Sequence, residues 1–322
     1  MINLLRRLMT AHGVPGREDK IREAIIKEVE PYVDEISVDA LGNLVAHKKG
    51  NGKKVMLGAH MDEIGYFVTG IRSNGKLSVT TVGGIDLVSG AFTEVVSENG
   101  LKGMLVTNGR ETPNAENVVI DIGASDKKQA EKRVKVGDYF VHTPKLTHLL
   151  GTRYAGRPID DRVGCAVLVE ALKRVKNTDN DLYFVFTTQE EVGGRGVRPV
   201  TYSIAPEVAI AVDVTKVDNG TDAIDVALGK GATVKIKDSS VICTHEIVEK
   251  MRELAAEAGI SYQEEILVNG GTDTAGMQIA RAGCKVGAIS IPCDYIHTGA
   301  EMIDLKDYKS AVELATLVAE RI

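Results

Sequence analysis

The feature that most constrains this fold is an alternation of β-type and helical patterns in the second half of the chain. Apolar runs typical of buried strands alternate there with amphipathic helical patterns. Strands are predicted at residues 182–188, 208–214 and 285–291, and helices at 162–175, 245–258 and from 307 onward. Such alternation predicts a largely parallel or mixed sheet that is covered by helices on both faces.

A β-rich stretch from residue 69 to 156 interrupts this pattern. It contains Gly-rich turns and alternating β-branched residues, with one short helical pattern at 126–133. A chain of 322 residues is long enough for two domains. We therefore predict an α/β protein whose main domain, residues 1–68 and 157–322, has a mixed sheet flanked by helices. The inserted β-rich domain occupies residues 69–156.

Charge and composition exclude several classes of partner. The formal net charge is −6 and the chain has no Trp. Because no basic stripe is present to displace counterions, neither nucleic acid nor an anionic membrane is expected as a partner. Residues 1–16 predict a short amphipathic helix rather than a signal peptide, and no apolar stretch reaches the length of a membrane span. The four cysteines form no C-x-x-C pair, which favours a reducing, cytoplasmic location.

Several predicted strands end in polar side chains that can bind metal. In open α/β sheets, functional groups collect beyond the carboxyl ends of the strands. The candidates at these ends are His60 and Asp62 after residues 55–59, Asp160 and Asp161 before the helix 162–175, Glu190 and Glu191 after 182–188, Asp213 within 208–214, and His297 after 285–291.

Two imidazoles and several carboxylates form a donor set that suits Zn, Co or Mn. One ion could not use all of them, but two neighbouring ions could if one carboxylate bridged them. Of the adjacent pair Glu190 and Glu191, one could bind a cation while the other took a proton from a metal-bound water. Asp62, two residues after His60, could hold the other ring nitrogen of that histidine. Each residue alone has a simpler structural explanation, and only the joint pattern indicates a site.

These residues lie in motifs that resemble the M42 family of metallo-aminopeptidases, whose tetrahedral members are called TET peptidases. The motifs occur in the family's order along almost the whole chain: GAHMDEIGY, DDRVGC, TTQEEVGGRG, VAIAVDVT, GKG, VNGGTDTAG and YIHTGAE. The resemblance implies a zinc-peptidase-like catalytic domain that binds two divalent ions, Zn or Co. It also implies that Asp160 is followed by a cis peptide bond.

The resemblance further implies a role for each site residue. His60, Asp160 and Asp213 would bind one ion, and Asp160, Glu191 and His297 the second. Glu190 would be the general base that activates a water between the ions, and Asp62 would orient His60. The implied reaction is removal of N-terminal residues from short peptides. The insertion would form dimers that assemble into a dodecamer.

Three alternatives remain from the residues themselves. The first is a di-metal deacylase of N-acyl amino acids, the second a metal-independent glycosidase that uses Glu190 with another acid, and the third a binding or assembly protein without activity. The sequence also departs from the family pattern at Asp294, where arginine is frequent, and in the turn GGRGVRP. Asp294 would favour basic substrates if it lined the pocket.

Overall fold

The structure, a computed structural model, describes residues 1–107, 112–176, 178–217 and 225–322. Within these residues the chain forms an eleven-stranded mixed sheet flanked by helices and a closed barrel of six strands. The predicted fold class is therefore confirmed. No helix in the described ranges is both long and apolar enough to cross a membrane.

The strands, in chain order, are β1 (Glu35–Val38), β2 (Leu44–Lys48), β3 (Lys54–His60), β4 (Gly65–Ile71), β5 (Leu77–Val82), β6 (Thr93–Ser97), β7 (Lys102–Thr107), β8 (Val118–Asp121), β9 (Tyr139–His142), β10 (Lys145–His148), β11 (Arg153–Arg157), β12 (Asp181–Thr187), β13 (Val208–Lys216), β14 (Ala232–Lys237), β15 (Tyr262–Ile266), β16 (Lys285–Asp294) and β17 (Glu301–Asp304). The helices are α1 (Ile2–Met9), α2 (Asp19–Val29), α3 (Leu87–Gly90), α4 (Lys127–Glu131), α5 (Arg162–Arg174), α6 (Val197–Ile204), α7 (His245–Ala258), α8 (Thr274–Gln278) and α9 (Leu305–Arg321).

The centre of the large sheet consists of four parallel strands in the order β12, β3, β13 and β16. Antiparallel strands extend it on both sides, with β2 and β1 beyond β12 and with β17, β11 and β10 beyond β16. The central strands are almost continuously apolar and buried, as expected for parallel strands covered on both faces. Their carboxyl ends therefore lie at one edge, where the candidate site residues follow them.

Helix α5 forms much of the core beneath this edge. It packs against β3, β13 and α9, and nearly all of its side chains are buried. Asp161 caps its N-terminus by accepting a hydrogen bond of 2.9 Å from the backbone N–H of Gly164. The helix start is thus held next to the strand ends.

The closed barrel consists of β4 to β9 and has its own apolar core. Its strands span residues 65–142, whereas β10 and β11 pair within the large sheet. The division of the chain at residues 68/69 and 156/157 remains a prediction, and the predicted insertion includes residues 108–111, which lie outside the described ranges.

The sequence patterns missed α6, which directly follows the turn that carries the two adjacent glutamates. Its sequence, VRPVTYSI, contains β-branched residues and a proline, which lower helix propensity. Pro199 lies in the first turn, where its missing N–H costs no helical hydrogen bond. Packing of the buried Val197 and Val200 stabilises the helix in spite of this composition.

Candidate metal centre and active site

The register of β3 and β12 brings the first site residues together. Thr187, the last residue of β12, is the Cα partner of His60, the last residue of β3. The chain leaves β12 through Gln189, whose φ of 57° lies in the left-handed region. Glu18 stabilises this turn because its Oε1 accepts hydrogen bonds from the backbone N–H groups of Gly16, at 2.8 Å, and Gln189, at 3.2 Å. Glu190 and Glu191 therefore follow the strand within a turn rather than extending it.

Asp160 lies between the two histidines. Its Oδ1 is 3.2 Å from Nε2 of His60, and its Oδ2 is 3.2 Å from Nε2 of His297. Nε2 of His60 also lies 3.8 Å from Oδ1 of Asp213, and Nε2 of His297 lies 3.1 Å from Oε2 of Glu191. The structure thus brings together all five side chains that the sequence indicated as ligands.

Asp62 is fully buried and contacts both His60 and the turn that carries Glu190 and Glu191. Its Oδ1 and Oδ2 accept hydrogen bonds from the backbone N–H groups of Glu190, at 3.0 Å, and Glu191, at 3.1 Å. Nδ1 of His60 lies 3.1 Å from the backbone oxygen of Asp62 and 3.5 Å from its Oδ1. Asp62 therefore lies where it can orient His60, and it also holds the glutamate turn, which the sequence did not indicate.

Glu190 and Glu191 occupy different places in the site. Glu190 lines an open cleft of about 450 Å³ together with four of the five candidate ligands: His60, Asp160, Asp213 and His297. Glu191 lies against His297, and one of its carboxylate oxygens, Oε1, is buried without a hydrogen-bond partner among the described residues. The two adjacent carboxylates can therefore perform separate tasks.

Burial and neighbouring charges shift the pKa values of the cluster strongly. Burial raises the pKa of Glu190 well above its usual value, and the nearby Asp213 adds to this effect. Burial likewise raises the pKa of Asp213 to about 7. For His297, burial disfavours the imidazolium, but hydrogen bonds to Asp160 and Glu191 outweigh this and raise its pKa to about 11. The carboxylates thus repel one another and attract positive charge.

The donor set fits divalent cations. Ligand atoms of His60, Asp160 and Glu191 lie within 4.8 Å of one another, and so do those of His60, Asp161 and Asp213. Imidazole nitrogens with several carboxylate oxygens suit Zn or Co. Oε1 of Glu191 and Oδ2 of Asp161, which are buried and find no hydrogen-bond partner in the part of the chain that the structure describes, have free lone pairs. Divalent cations would offset the mutual repulsion of these carboxylates.

Sequence reasoning gave no role to Asp161, although it was a candidate, and it missed one further contributor to the site. Asp161 is fully buried, and its Oδ2 has no hydrogen-bond partner in the structure. The Asp160–Asp161 peptide bond is cis, as the family resemblance implies. The second contributor is the barrel loop of residues 83–86, which forms one wall of the cleft with Gly84 and Asp86. Only the adjacent Asp-Asp pair was a signal in the sequence, because nothing local links the barrel loop to the site.

Asp294 is not among the residues that line the cleft. Its carboxylate accepts a hydrogen bond of 2.9 Å from the backbone N–H of Tyr295. Apart from Glu190 and the candidate ligands, the charged residues among the described ones that line the cleft are Asp86 and Lys216. An uncharged segment at residues 269–272 also lines it. Contacts to a substrate side chain are thus expected from these elements rather than from Asp294.

The fold and this cluster define a hydrolase of the metallopeptidase type, and comparisons with known proteins give the family. The profile described as M42 glutamyl aminopeptidase matches residues 42–314, so the chain belongs to the M42 peptidase family. A relative from Acetivibrio thermocellus, provisionally named an aminopeptidase, is 42% identical over 98% of this chain and 97% of its own length. The lysyl aminopeptidase of Pyrococcus furiosus is 32% identical over 99% of this chain and 96% of its own.

A solved structure gives the same result. The TET1 peptidase of Pyrococcus horikoshii, which can assemble into a tetrahedron or a large octahedral shell, has a TM-score of 0.91 and 33% identity. The match covers 100% of this chain and 99% of that chain. The family resemblance inferred from the motifs is confirmed, and the protein is a peptidase.

Proposed function

We propose that this protein is a di-metal aminopeptidase that removes N-terminal residues from short peptides. The observation that carries the proposal is the position of Asp160, whose two carboxylate oxygens each lie 3.2 Å from Nε2 of a different histidine, His60 or His297. A carboxylate in this position can bridge two cations. Membership of the M42 family supports the same activity.

The residues divide into two ligand groups around Asp160. His60, Asp160 and Asp213 would hold one ion, and Asp160, Glu191 and His297 the other. Both Zn and Co suit these donors. When bound, such ions lower the pKa of a coordinated water to about 7 and polarise the carbonyl oxygen of the substrate.

Glu190 is proposed as the general base. It lines the cleft beside the ligand groups, whereas Glu191 contacts His297. From this position the carboxylate of Glu190 accepts a proton from the attacking water and returns it to the leaving amine. Asp62 would orient His60 and hold the turn that carries Glu190.

The size and charge of the cleft support this substrate class. A cleft of about 450 Å³ lined by carboxylates favours a short peptide with a positively charged N-terminal amine. Family membership does not favour the deacylase and glycosidase alternatives. The family profile is described as glutamyl and one relative is named lysyl, so a test of substrate preference includes both side chains.

We also propose that the protein is a homo-oligomer, with barrel-mediated dimers that form a dodecamer. The similarity to the TET1 peptidase of Pyrococcus horikoshii supports assembly, and exposed apolar side chains such as Phe92 on the barrel offer a contact surface. A cytoplasmic location is proposed from the four free cysteines. Light scattering after size-exclusion chromatography tests the assembly, and a monomer would contradict it.

The activity is tested with a panel of lysyl, leucyl and glutamyl chromogenic amides, each with a free or an acetylated N-terminus. Activity is expected with free amines only, lost after chelation and restored by adding back Zn or Co. Hydrolysis of the acetylated compounds would instead indicate the deacylase. Activity that persists in chelator, with no cation bound to the protein, would overturn the proposal.

A further inference from the structure

The carboxylate of Glu301 lies beneath the candidate metal centre and is fully buried at the start of β17. Its Oε2 accepts hydrogen bonds from the backbone N–H groups of Ile159, at 2.7 Å, and Asp160, at 3.1 Å. Its Oε1 accepts hydrogen bonds from the backbone N–H of His297, at 3.2 Å, and from Nη1 of Arg157, at 2.8 Å. One side chain therefore contacts four donors from two separate segments.

Both of these segments carry side chains that contact each other in the site. The side chains of Asp160 and His297 lie 3.2 Å apart, and the backbone of each residue is held by the same carboxylate. His297 has a φ of 64°, in the left-handed region that a non-glycine residue adopts only when its surroundings hold it there. The hydrogen bond from its N–H to Glu301 is one such constraint.

Arg157 completes the arrangement. It is almost fully buried, and its Nη1 also donates a hydrogen bond of 3.2 Å to the backbone oxygen of Thr298. Burial raises the pKa of Glu301, and the positive charge of Arg157, whose Nη1 lies 2.8 Å from Oε1, opposes this rise. The two oxygens of Glu301 act as acceptors, which matches the four donors that they contact.

We propose that Glu301 is a positioning residue that sets the spacing of Asp160 and His297 for cation binding. This inference rests on the proposed function, because it assumes that Asp160 and His297 hold a divalent cation. Glu301 is not among the residues that line the cleft, and it acts through the backbone of Asp160 and His297.

The variant Glu301→Gln tests the proposal with almost no change in volume. An amide offers one acceptor oxygen and one NH2 donor, so the NH2 group must face either Ile159 and Asp160 or His297 and Arg157. Two of the four hydrogen bonds to residue 301 are therefore lost, and the NH2 group is placed against other hydrogen-bond donors. We expect the affinity for Co²⁺, titrated alone and followed by its visible absorption and by calorimetry, to fall about 10–100-fold.

Asp307→Asn is the matched control. Asp307 is a fully buried carboxylate whose two oxygens also accept backbone hydrogen bonds, from Gly229 and Gly231 at 2.7 Å each, but it contacts no candidate ligand. This variant is expected to lower the melting temperature and to leave Co²⁺ affinity unchanged. A merely structural role for Glu301 predicts the same result for Glu301→Gln.

The outcomes separate this inference from the proposed function. If wild-type protein binds no Co²⁺, the proposed metal centre is wrong. If wild type binds Co²⁺ and Glu301→Gln binds it equally well, the positioning role is overturned. Glu301→Asp is measured in parallel because it keeps the charge but is too short to reach both segments. It is expected to bind Co²⁺ more weakly than wild type, and if Glu301→Gln does not fold, wild-type affinity in Glu301→Asp overturns the proposal.

Discussion

The carboxylate of Asp62 accepts a hydrogen bond of 3.0 Å from the backbone N–H of Glu190, and this contact joins the end of β3 to the turn after β12. The second oxygen of Asp62 accepts from the N–H of Glu191 at 3.1 Å. Because both donors are backbone groups, Asp62 fixes the backbone position of the two glutamates. Their side chains remain available for other contacts. Asp62 therefore links His60 to the turn that carries Glu190 and Glu191.

Asp62→Asn is expected to lower kcat about 10–100-fold while the protein stays folded. The amide NH2 would face one of the two backbone N–H groups from which the carboxylate accepts hydrogen bonds. Nδ1 of His60 would also lose the nearby negative charge of Asp62. Steady-state kinetics on a chromogenic amide measures the effect. Asp121→Asn is the control, because Asp121 likewise accepts a backbone hydrogen bond, from Gly123, but lies in the barrel. Equal kcat in wild type and Asp62→Asn would reject this role.

Glu190→Gln and Glu191→Gln are expected to fail in different ways, although the residues are adjacent. Glu190→Gln should reduce kcat about 10²–10⁴-fold with little change in cation affinity, because the amide cannot accept the proton. Glu191→Gln should weaken cation binding, since the carboxylate beside His297 is neutralised. Kinetics and calorimetric titration with Zn²⁺ on both variants measure this. Full activity of Glu190→Gln would remove it as the base.

The stability of the protein is expected to depend on pH through the buried pair of Glu63 and Arg162, whose Oε1 and Nη2 are 3.1 Å apart. Burial raises the pKa of Glu63 from its usual 4.5 to about 7, although Arg162 opposes the shift. The folded chain therefore binds more protons than the unfolded chain between these values. The free energy of unfolding should decrease as pH rises from about 4.5 to 7 and level off above, by about 3 kcal/mol at most.

Glu63→Gln removes this titration and should flatten that part of the profile. Urea unfolding of wild type and variant across this pH range gives the difference. The variant is expected to fold, because Arg162 still donates to the backbone oxygens of Met61, Leu8 and Ala11. Parallel profiles for the two proteins would show that Glu63 does not titrate in this range.

Gly83→Ala is expected to damage the wall that the barrel contributes to the cleft. Gly83 has a φ of 79°, and an added Cβ would overlap Cγ2 of Ile64 and lie 3.2 Å from Oε2 of Glu191. The left-handed backbone alone costs about 1–2 kcal/mol with a side chain, so both the free energy of unfolding and kcat/KM should fall.

Gly84→Ala provides the neighbouring control. Gly84 does not have a positive φ, and its added Cβ would lie 3.5 Å from Nδ1 of His297, an ordinary van der Waals contact. Denaturant unfolding should show a loss of stability for Gly83→Ala alone, and kinetics compare Gly83→Ala with wild type. If both variants behave like wild type, the barrel loop is not closely packed against the site.

Local patterns predicted most of the elements that position the site. Helix α7 was expected at 245–258 and is found at His245–Ala258, and the strand expected at 182–188 is found at Asp181–Thr187. Such elements are encoded by the spacing of apolar residues within a short window. Helix α6 was missed because its β-branched residues and its proline resemble neither pattern, and only packing stabilises it.

The sequence by itself determined the chemical inventory: two histidines, a set of carboxylates and the order in which they follow the strands. Only the tertiary structure decided which atoms meet, because Asp160 reaches both His60 and His297 through the pairing order of distant strands. It likewise brought the loop at residues 83–86 to the cleft and Glu301 beneath it. Contacts between residues far apart in the chain depend on how sheets and helices pack, and no local window of sequence contains that information.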